Sequence, residues 1–273
     1  MTFNLRFATA ADGENHWVKR RPILFACLQQ HPPGIMATQE GLDFQLDEIK
    51  TSLPGFDYFG QGRYLNVPLK QRPHEHLCGE HCALFYDTRQ FELLHNATFW
   101  LSDTPEIPGS ATWGNDLPRV VTWGIFRPKH CQQAFAVFNT HYHWGEPFIS
   151  NSTKLLIQKI SEIADALPTI LAGDFNLPPD STPYRMLTRH QSAPEKFPCF
   201  IDVWNARGQT EAAGNSFHGF DGVGKERIDW LLVTRQFAVR TCERIEFAID
   251  GRFPSDHFPI AATVVLNEKN KIH

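Results

Sequence analysis

Apolar side chains along this chain gather in short runs separated by turn-forming and charged residues, and two different spacings within those runs predict two kinds of element. Residues 35–39, 82–86, 91–99, 120–126, 135–138, 169–173, 228–233 and 260–266 are rich in aromatic and β-branched side chains, a composition that suits buried strands. A further short strand is expected over residues 2–7. Helical spacing is clearest where Leu156, Ile160, Ile163 and Leu167 recur while Lys154, Lys159 and Glu162 take the other faces. Helices are also expected over residues 17–29 and 44–53. Strands, hairpins and helices interleave without a regular βαβ repeat, which predicts an α/β sandwich. No internal repeat and no linker-like stretch divides the sequence, so one domain over residues 1–273 is expected.

Composition changes this picture only where it excludes something. With 22 Phe and 7 Trp the chain has ample material for a large core, so its six scattered cysteines read as reduced thiols rather than a disulfide framework. A formal charge of −4 argues against a broad basic face for gripping nucleic acid, while leaving room for a local basic cleft. The first residues lack a basic segment followed by an apolar run, and no apolar stretch reaches membrane-spanning length. The expectation is therefore a cytoplasmic protein with no membrane insertion.

The polar residues that matter sit where strands run out into loops. Asp174 and Asn176 follow an apolar strand, and alternation puts their side chains on one rim; turn formation is the plain alternative for this pair. Asp256 and His257 stand just before the last apolar run, a carboxylate beside an imidazole that can bind metal and move protons. Glu40 closes residues 35–39 and offers a hard oxygen of the kind Mg²⁺ takes. His141 follows the strand at 135–138. Asp229 lies inside an apolar run, where an unpaired buried carboxylate would cost several kcal/mol, so it should have a partner. Arg63 and Arg119 are candidate phosphate anchors, each also readable as a surface arginine. His218 is a candidate substrate contact or a core histidine bonded to backbone.

Seven short motifs occur in a characteristic order: TFN at 2–4, QE at 39–40, GEHCALFY at 79–86, NTH at 139–141, GDFN at 173–176, RIDW at 227–230 and SDHFP at 255–259. In these the chain resembles the endonuclease/exonuclease/phosphatase family. Residues 12–21, 99–109 and 217–220 resemble further signatures of a bacterial branch. The resemblance implies a DNase I-like four-layer αββα sandwich of two mixed β-sheets with helices outside. It implies a divalent-metal-dependent phosphoric ester hydrolase using Mg²⁺ or Mn²⁺. Asn4, Glu40 and Asp256 would surround the metal. Asp174 would orient or deprotonate the attacking water, Asn176 would hold phosphoryl oxygens, and His257 would contact the phosphate or act as general base, with Asp229 orienting it. His141 with Glu80 would form a second His–carboxylate pair suited to protonating the leaving oxygen.

The loop after Arg63 departs from relatives that carry Gly-Arg-Asp-Asp-Gly there, and residues 142–144 replace a Leu-Asp-His segment. That loop holds His74, His76 and Cys78, donors that zinc accepts, although their spacing matches no usual zinc pattern and a plain polar loop competes. The expected partner is a small phosphorylated substrate. A nuclease acting on single-stranded ends, with Trp100, Trp113, Trp144 or Phe220 stacking bases, is the alternative. A non-catalytic binding module on the same fold is the third reading, against which the intact polar set speaks.

Overall fold

A computed structural model describes residues 1–72, 78–188 and 199–267 of the chain. The first half contributes β1 (Thr2–Asn4), α1 (Trp17–Gln30), β2 (Ile35–Gly41), α2 (Asp43–Ser52), β3 (Phe56–Phe59), β4 (His81–Asp87), β5 (Phe91–Trp100), β6 (Val120–Pro128) and β7 (Phe135–His141). The second contributes α3 (Phe148–Ala164), β8 (Thr169–Asp174), α4 (Thr182–Thr188), β9 (Phe200–Asp202), α5 (Val203–Ala206), β10 (Asp229–Thr234), β11 (Phe237–Arg244) and β12 (Ile260–Leu266). The strands form two six-stranded mixed sheets, ordered β11-β12-β1-β2-β4-β3 and β5-β6-β7-β8-β10-β9.

The central strands are apolar almost throughout because each feeds two cores at once. In β2, β4, β7 and β8 the side chains alternate between layers. Ala37, Leu84, Val137 and Ala172 face the space between the sheets. Met36 and Phe85 face the layer of α1 and α2, and Phe138 and Leu171 face that of α3 and α4. The expected four-layer sandwich is the outcome. The longest helix starts well before its most periodic stretch because Phe148, Ile149 and Ser152 are buried as well.

Three strands absent from the expected set, β3, β9 and β11, are short or lie at sheet edges. An edge strand with one solvent-facing side, such as β11 with exposed Arg240 and Thr241, lacks a continuous apolar signal. Among the described residues no helix is long and apolar enough to cross a membrane, and the six cysteines are free thiols. His74 and His76 of the zinc reading lie outside the described residues. Of their neighbours, His81 is already committed, with Nδ1 at 3.2 Å from Gly41 O and Nε2 at 3.1 Å from Asp43 Oδ1.

Candidate active site

The inward-facing rows of three adjacent strands change from apolar to ionisable at one end of the sandwich. In β7 the row reads Val137, Asn139, His141; in β8 it reads Ile170, Ala172, Asp174; in β10 it reads Val233, Leu231, Asp229. Register puts His141 opposite Asp174 and Asp174 opposite Asp229, so three ionisable side chains share one rung and one face. One step deeper, Gln39 Nε2 donates to Asn139 Oδ1 at 2.7 Å, and Asn139 Nδ2 donates to the carbonyls of Thr38 and Ala83 at 2.8 Å each. This dry bridge ties the sheets together directly beneath the site.

The opposite sheet completes the cluster from β1 and β2. Asn4 Nδ2 donates to Glu40 Oε1 at 3.0 Å and to Asp174 Oδ2 at 2.9 Å, joining carboxylates from both sheets. Simple alternation after inward-facing Gln39 would turn Glu40 away from the site. Glu40 instead adopts φ +62°, within a register shift between Thr38 and Gly41, and this re-aims it. A left-handed glutamate is strained, the kind of cost that persists where a side chain must point one way. Its second oxygen accepts from the Phe7 N–H at 3.0 Å.

His257 enters from the loop before β12. Its Nδ1 lies 2.8 Å from Asp229 Oδ2, the partner that a buried carboxylate in an apolar strand required, and its Nε2 lies 3.9 Å from Asp174 Oδ2. Asp174, Asp229 and His257 offer ligand atoms all within 4.8 Å of one another. Burial opposes charge on His257, but Asp229, Asp256 and Asp174 outweigh it and hold the imidazole protonated, with its pKa raised to about 10. A protonated imidazole has no lone pair for a metal, so this trio is better suited to holding protons than a cation. Asp174 is raised to about 7 by burial and then by the neighbouring Asp229 charge.

His141 behaves in the opposite way. Burial, then the charges of Arg119 and Arg63, depress its pKa well below the ordinary value, so it is neutral. Asn176, in a left-handed conformation at φ +53°, donates through Nδ2 to Tyr142 O at 2.9 Å and lies 3.0 Å from His141 Nε2. The carbonyl fixes that amide as a donor, so Nε2 of His141 is the acceptor.

The expected pairing of His141 with Glu80 does not form. Glu80 is gripped on both oxygens by Arg63, Nη1 to Oε2 at 2.8 Å and Nη2 to Oε1 at 2.7 Å. A two-pronged guanidinium–carboxylate contact outcompetes a single contact to a neutral ring. By the same contact Arg63 is no free phosphate anchor.

His218 is packed rather than presented. Its ring stacks on Phe258 at 4.0 Å, Gly222 N–H donates to Nδ1 at 3.3 Å, and burial drives its pKa down to about 4. Its segment instead pins the loop that carries Asp256, as the N–H groups of His218 and Gly219 both donate to Asp256 O. Among the stacking candidates Trp100 is buried at 2%, whereas Trp144 is 61% exposed.

Arg20 was visible in the sequence only as part of a signature. It is 1% exposed and donates to the carbonyls of Leu5, Arg6 and Pro254, knitting the exit of β1 to the loop carrying Asp256. Nothing in its own sequence neighbourhood marks a contact 234 positions away.

The fold and this cluster define a class of protein, the sandwich-fold phosphoesterases. A sequence profile of the Endonuclease/Exonuclease/phosphatase family matches residues 1–257, and the chain belongs to that family. A mannosyl-6-phosphatase of Bacteroides thetaiotaomicron superposes with a TM-score of 0.81 at 30% identity, covering 97% of this chain and 98% of that one. A family protein of Bacteroides vulgatus gives 0.85 at 30% identity, with 97% of each chain covered. Protein angel of Drosophila melanogaster is 27% identical over 177 residues, 63% of this chain; the match spans about half of that relative, 47% of its length.

Proposed function

We propose that this chain is a divalent-metal-dependent hydrolase of phosphoric esters, acting on a small phosphorylated substrate. The observation that carries the reading is the meeting of Asn4 and Glu40 from one sheet with Asp174 and the Asp229–His257 pair from the other. The donor set fits a hard cation. Burial pushes Asp256 upward, and the nearby Glu40 charge adds to this against the opposing pull of His257, Arg6 and Arg20, so two carboxylates repel each other across the site. Glu40 and Asp256 would hold Mg²⁺ or Mn²⁺, with the remaining lone pair of Asn4 Oδ1 beside them. When bound, the cation supplies charge neutralisation on the phosphoryl oxygens.

The chain's own groups supply the rest. Asp174, raised towards neutral pH, is suited to taking a proton from an attacking water. Protonated His257, steadied by Asp229, donates to a phosphoryl oxygen and stabilises the charge that builds there. Both Nδ2 hydrogens of Asn176 are committed in the resting site, to Tyr142 O and His141 Nε2, so it would have to release one of them to hold a phosphoryl oxygen. Neutral His141 holds its Nε2 lone pair toward Asn176, so in the resting site it is a positioning acceptor and not a loaded acid.

The Bacteroides relative named as a mannosyl-6-phosphatase supports a phosphorylated sugar or similarly compact substrate. Exposed Trp144, three residues beyond His141, favours a second reading in which a base at the end of a single strand stacks there. The net charge of −4 favours the first. The test is a panel of sugar, nucleotide and lipid head-group phosphates and short oligonucleotides, assayed with Mg²⁺ and Mn²⁺ and with His257→Ala as control. Turnover of no member, or turnover undiminished by His257→Ala, would sink the hydrolase reading.

A further inference from the structure

Beside His141 a narrow cleft runs between the strand ends, lined by Glu40, Arg63, Glu80, Arg119 and His141. Its two glutamates and two arginines balance in number but not in contact. Arg63 is matched by Glu80 on both prongs. Arg119, fixed at the start of β6 where its backbone carbonyl accepts from Leu101 N–H, is only 6% exposed. Its Nε and Nη1 are buried and have no partner. Burying a guanidinium with idle donors is costly, and folds retain such a group where a ligand completes it. A bound cation would neutralise much of Glu40, the remaining nearby acid, leaving Arg119 as the surplus positive charge. After burial, Arg119 is the first charge felt at His141, so its field reaches the rung of Asp174.

We propose that Arg119 forms an anion subsite beside His141 that takes the doubly charged terminal phosphate of a phosphomonoester in preference to the singly charged group of a diester. This rests on the phosphoester reading above and narrows it to a substrate class. A monoester presents three non-bridging oxygens. With His257 donating to one of them, another would turn toward Arg119, whose Nε and Nη1 have no protein acceptor. In a diester that oxygen carries a carbon substituent, which can neither accept from buried guanidinium nitrogens equally well nor supply the second negative charge. The Arg63–Glu80 pair acts as a neutral wall that holds the second arginine head away from the substrate and keeps the cleft narrow. Selection of this kind works through the loss suffered when a buried donor meets a ligand that cannot satisfy it.

The test uses the full chain with saturating Mn²⁺. Inorganic phosphate binding is measured by calorimetry for wild type, Arg119→Met and Arg119→Lys. In parallel, kcat/KM is measured on 4-nitrophenyl phosphate and on methyl 4-nitrophenyl phosphate. Arg119→Met is expected to weaken phosphate binding and monoester kcat/KM by about 30-fold or more, as for loss of a buried charge contact, and to lower diester kcat/KM by less than about 3-fold. Arg119→Lys, which keeps the charge but not the planar fork, should fall between; if the Met variant does not fold, the same comparison is made with the Lys variant. Phosphate binding unchanged in a folded variant, or equal losses on both esters, overturns the subsite. Phosphate binding lost on substitution in a protein that hydrolyses neither ester supports the subsite and counts against the hydrolase reading instead.

Discussion

The contact between His257 Nδ1 and Asp229 Oδ2 at 2.8 Å is a short, buried link in the candidate machinery, and a double-mutant cycle tests whether the two act as one unit. Both are buried, at 5% and 2% exposure. Asp229→Ala removes the leading counter-charge of a protonated imidazole. The carboxylates that remain are Asp256 and Asp174, the latter with Oδ2 at 3.9 Å from the other ring nitrogen. Breaking a buried pair of this kind costs about 3–5 kcal/mol. If half of that is expressed in the transition state, kcat falls by roughly 10- to 60-fold, since about 1.4 kcal/mol corresponds to a factor of ten. His257→Ala removes the donor itself and should cost at least as much. It also leaves both Asp229 oxygens unsatisfied, because Oδ1 already lacks a partner. The double variant should therefore lie within about 3-fold of His257→Ala alone, a strongly non-additive result. The assay is initial-rate kinetics on whichever ester turns over, with urea unfolding of all four proteins to confirm that coupling appears in stability too. Losses that simply multiply would refute the shared-unit reasoning and assign Asp229 to some other partner.

Activity should vanish with EDTA and return with Mg²⁺ or Mn²⁺, and Glu40→Ala should raise the metal concentration needed far more than it lowers the melting temperature; full turnover in stripped protein contradicts the cation assignment. Asn139→Leu should destabilise by about 2–4 kcal/mol in urea unfolding, because it removes three buried hydrogen bonds at once, even though Gln39 Nε2 keeps Thr2 Oγ1 at 3.2 Å and Ala83 O keeps the Thr38 hydroxyl at 3.3 Å; a change below the scatter of surface substitutions would show the bridge to be dispensable. Asp87 is held below the usual carboxylate range, first by its side-chain hydrogen bond to Arg89 and then also by Gln90. Its folded pKa lies below the unfolded one, so its contribution is present above about pH 4 and is lost as pH falls further. Asp87→Asn should therefore flatten the acid limb of the stability profile below about pH 4, and parallel limbs for the two proteins would argue against it.

Much of this protein was settled by local pattern. The continuous apolar runs of β2, β7 and β8 mark strands buried on both faces, and the 3.6-residue recurrence of Leu156, Ile160 and Ile163 marks α3, which ends at Ala164 before the last expected position, Leu167. The position of Asp229 inside an apolar strand already demanded a partner. These features are legible because burial of a strand or helix face is written in residues a few positions apart. What the sequence could not state is which end of which strand meets which. Asn4 reaches Asp174 across 170 positions, and Ser255 reaches the carbonyl of Asn4 across 251. Such contacts depend on the stacking of two sheets rather than on any spacing. Glu40 faces the site only because a left-handed residue breaks the alternation of β2. Glu80 turned to Arg63 because a guanidinium fork lay within reach, and that left His141 to Asn176 and the Nε and Nη1 of Arg119 without a protein partner. The ionisable residues were visible one by one; their pairings, and hence their charges, were fixed only when packing excluded water and decided which neighbours each would have.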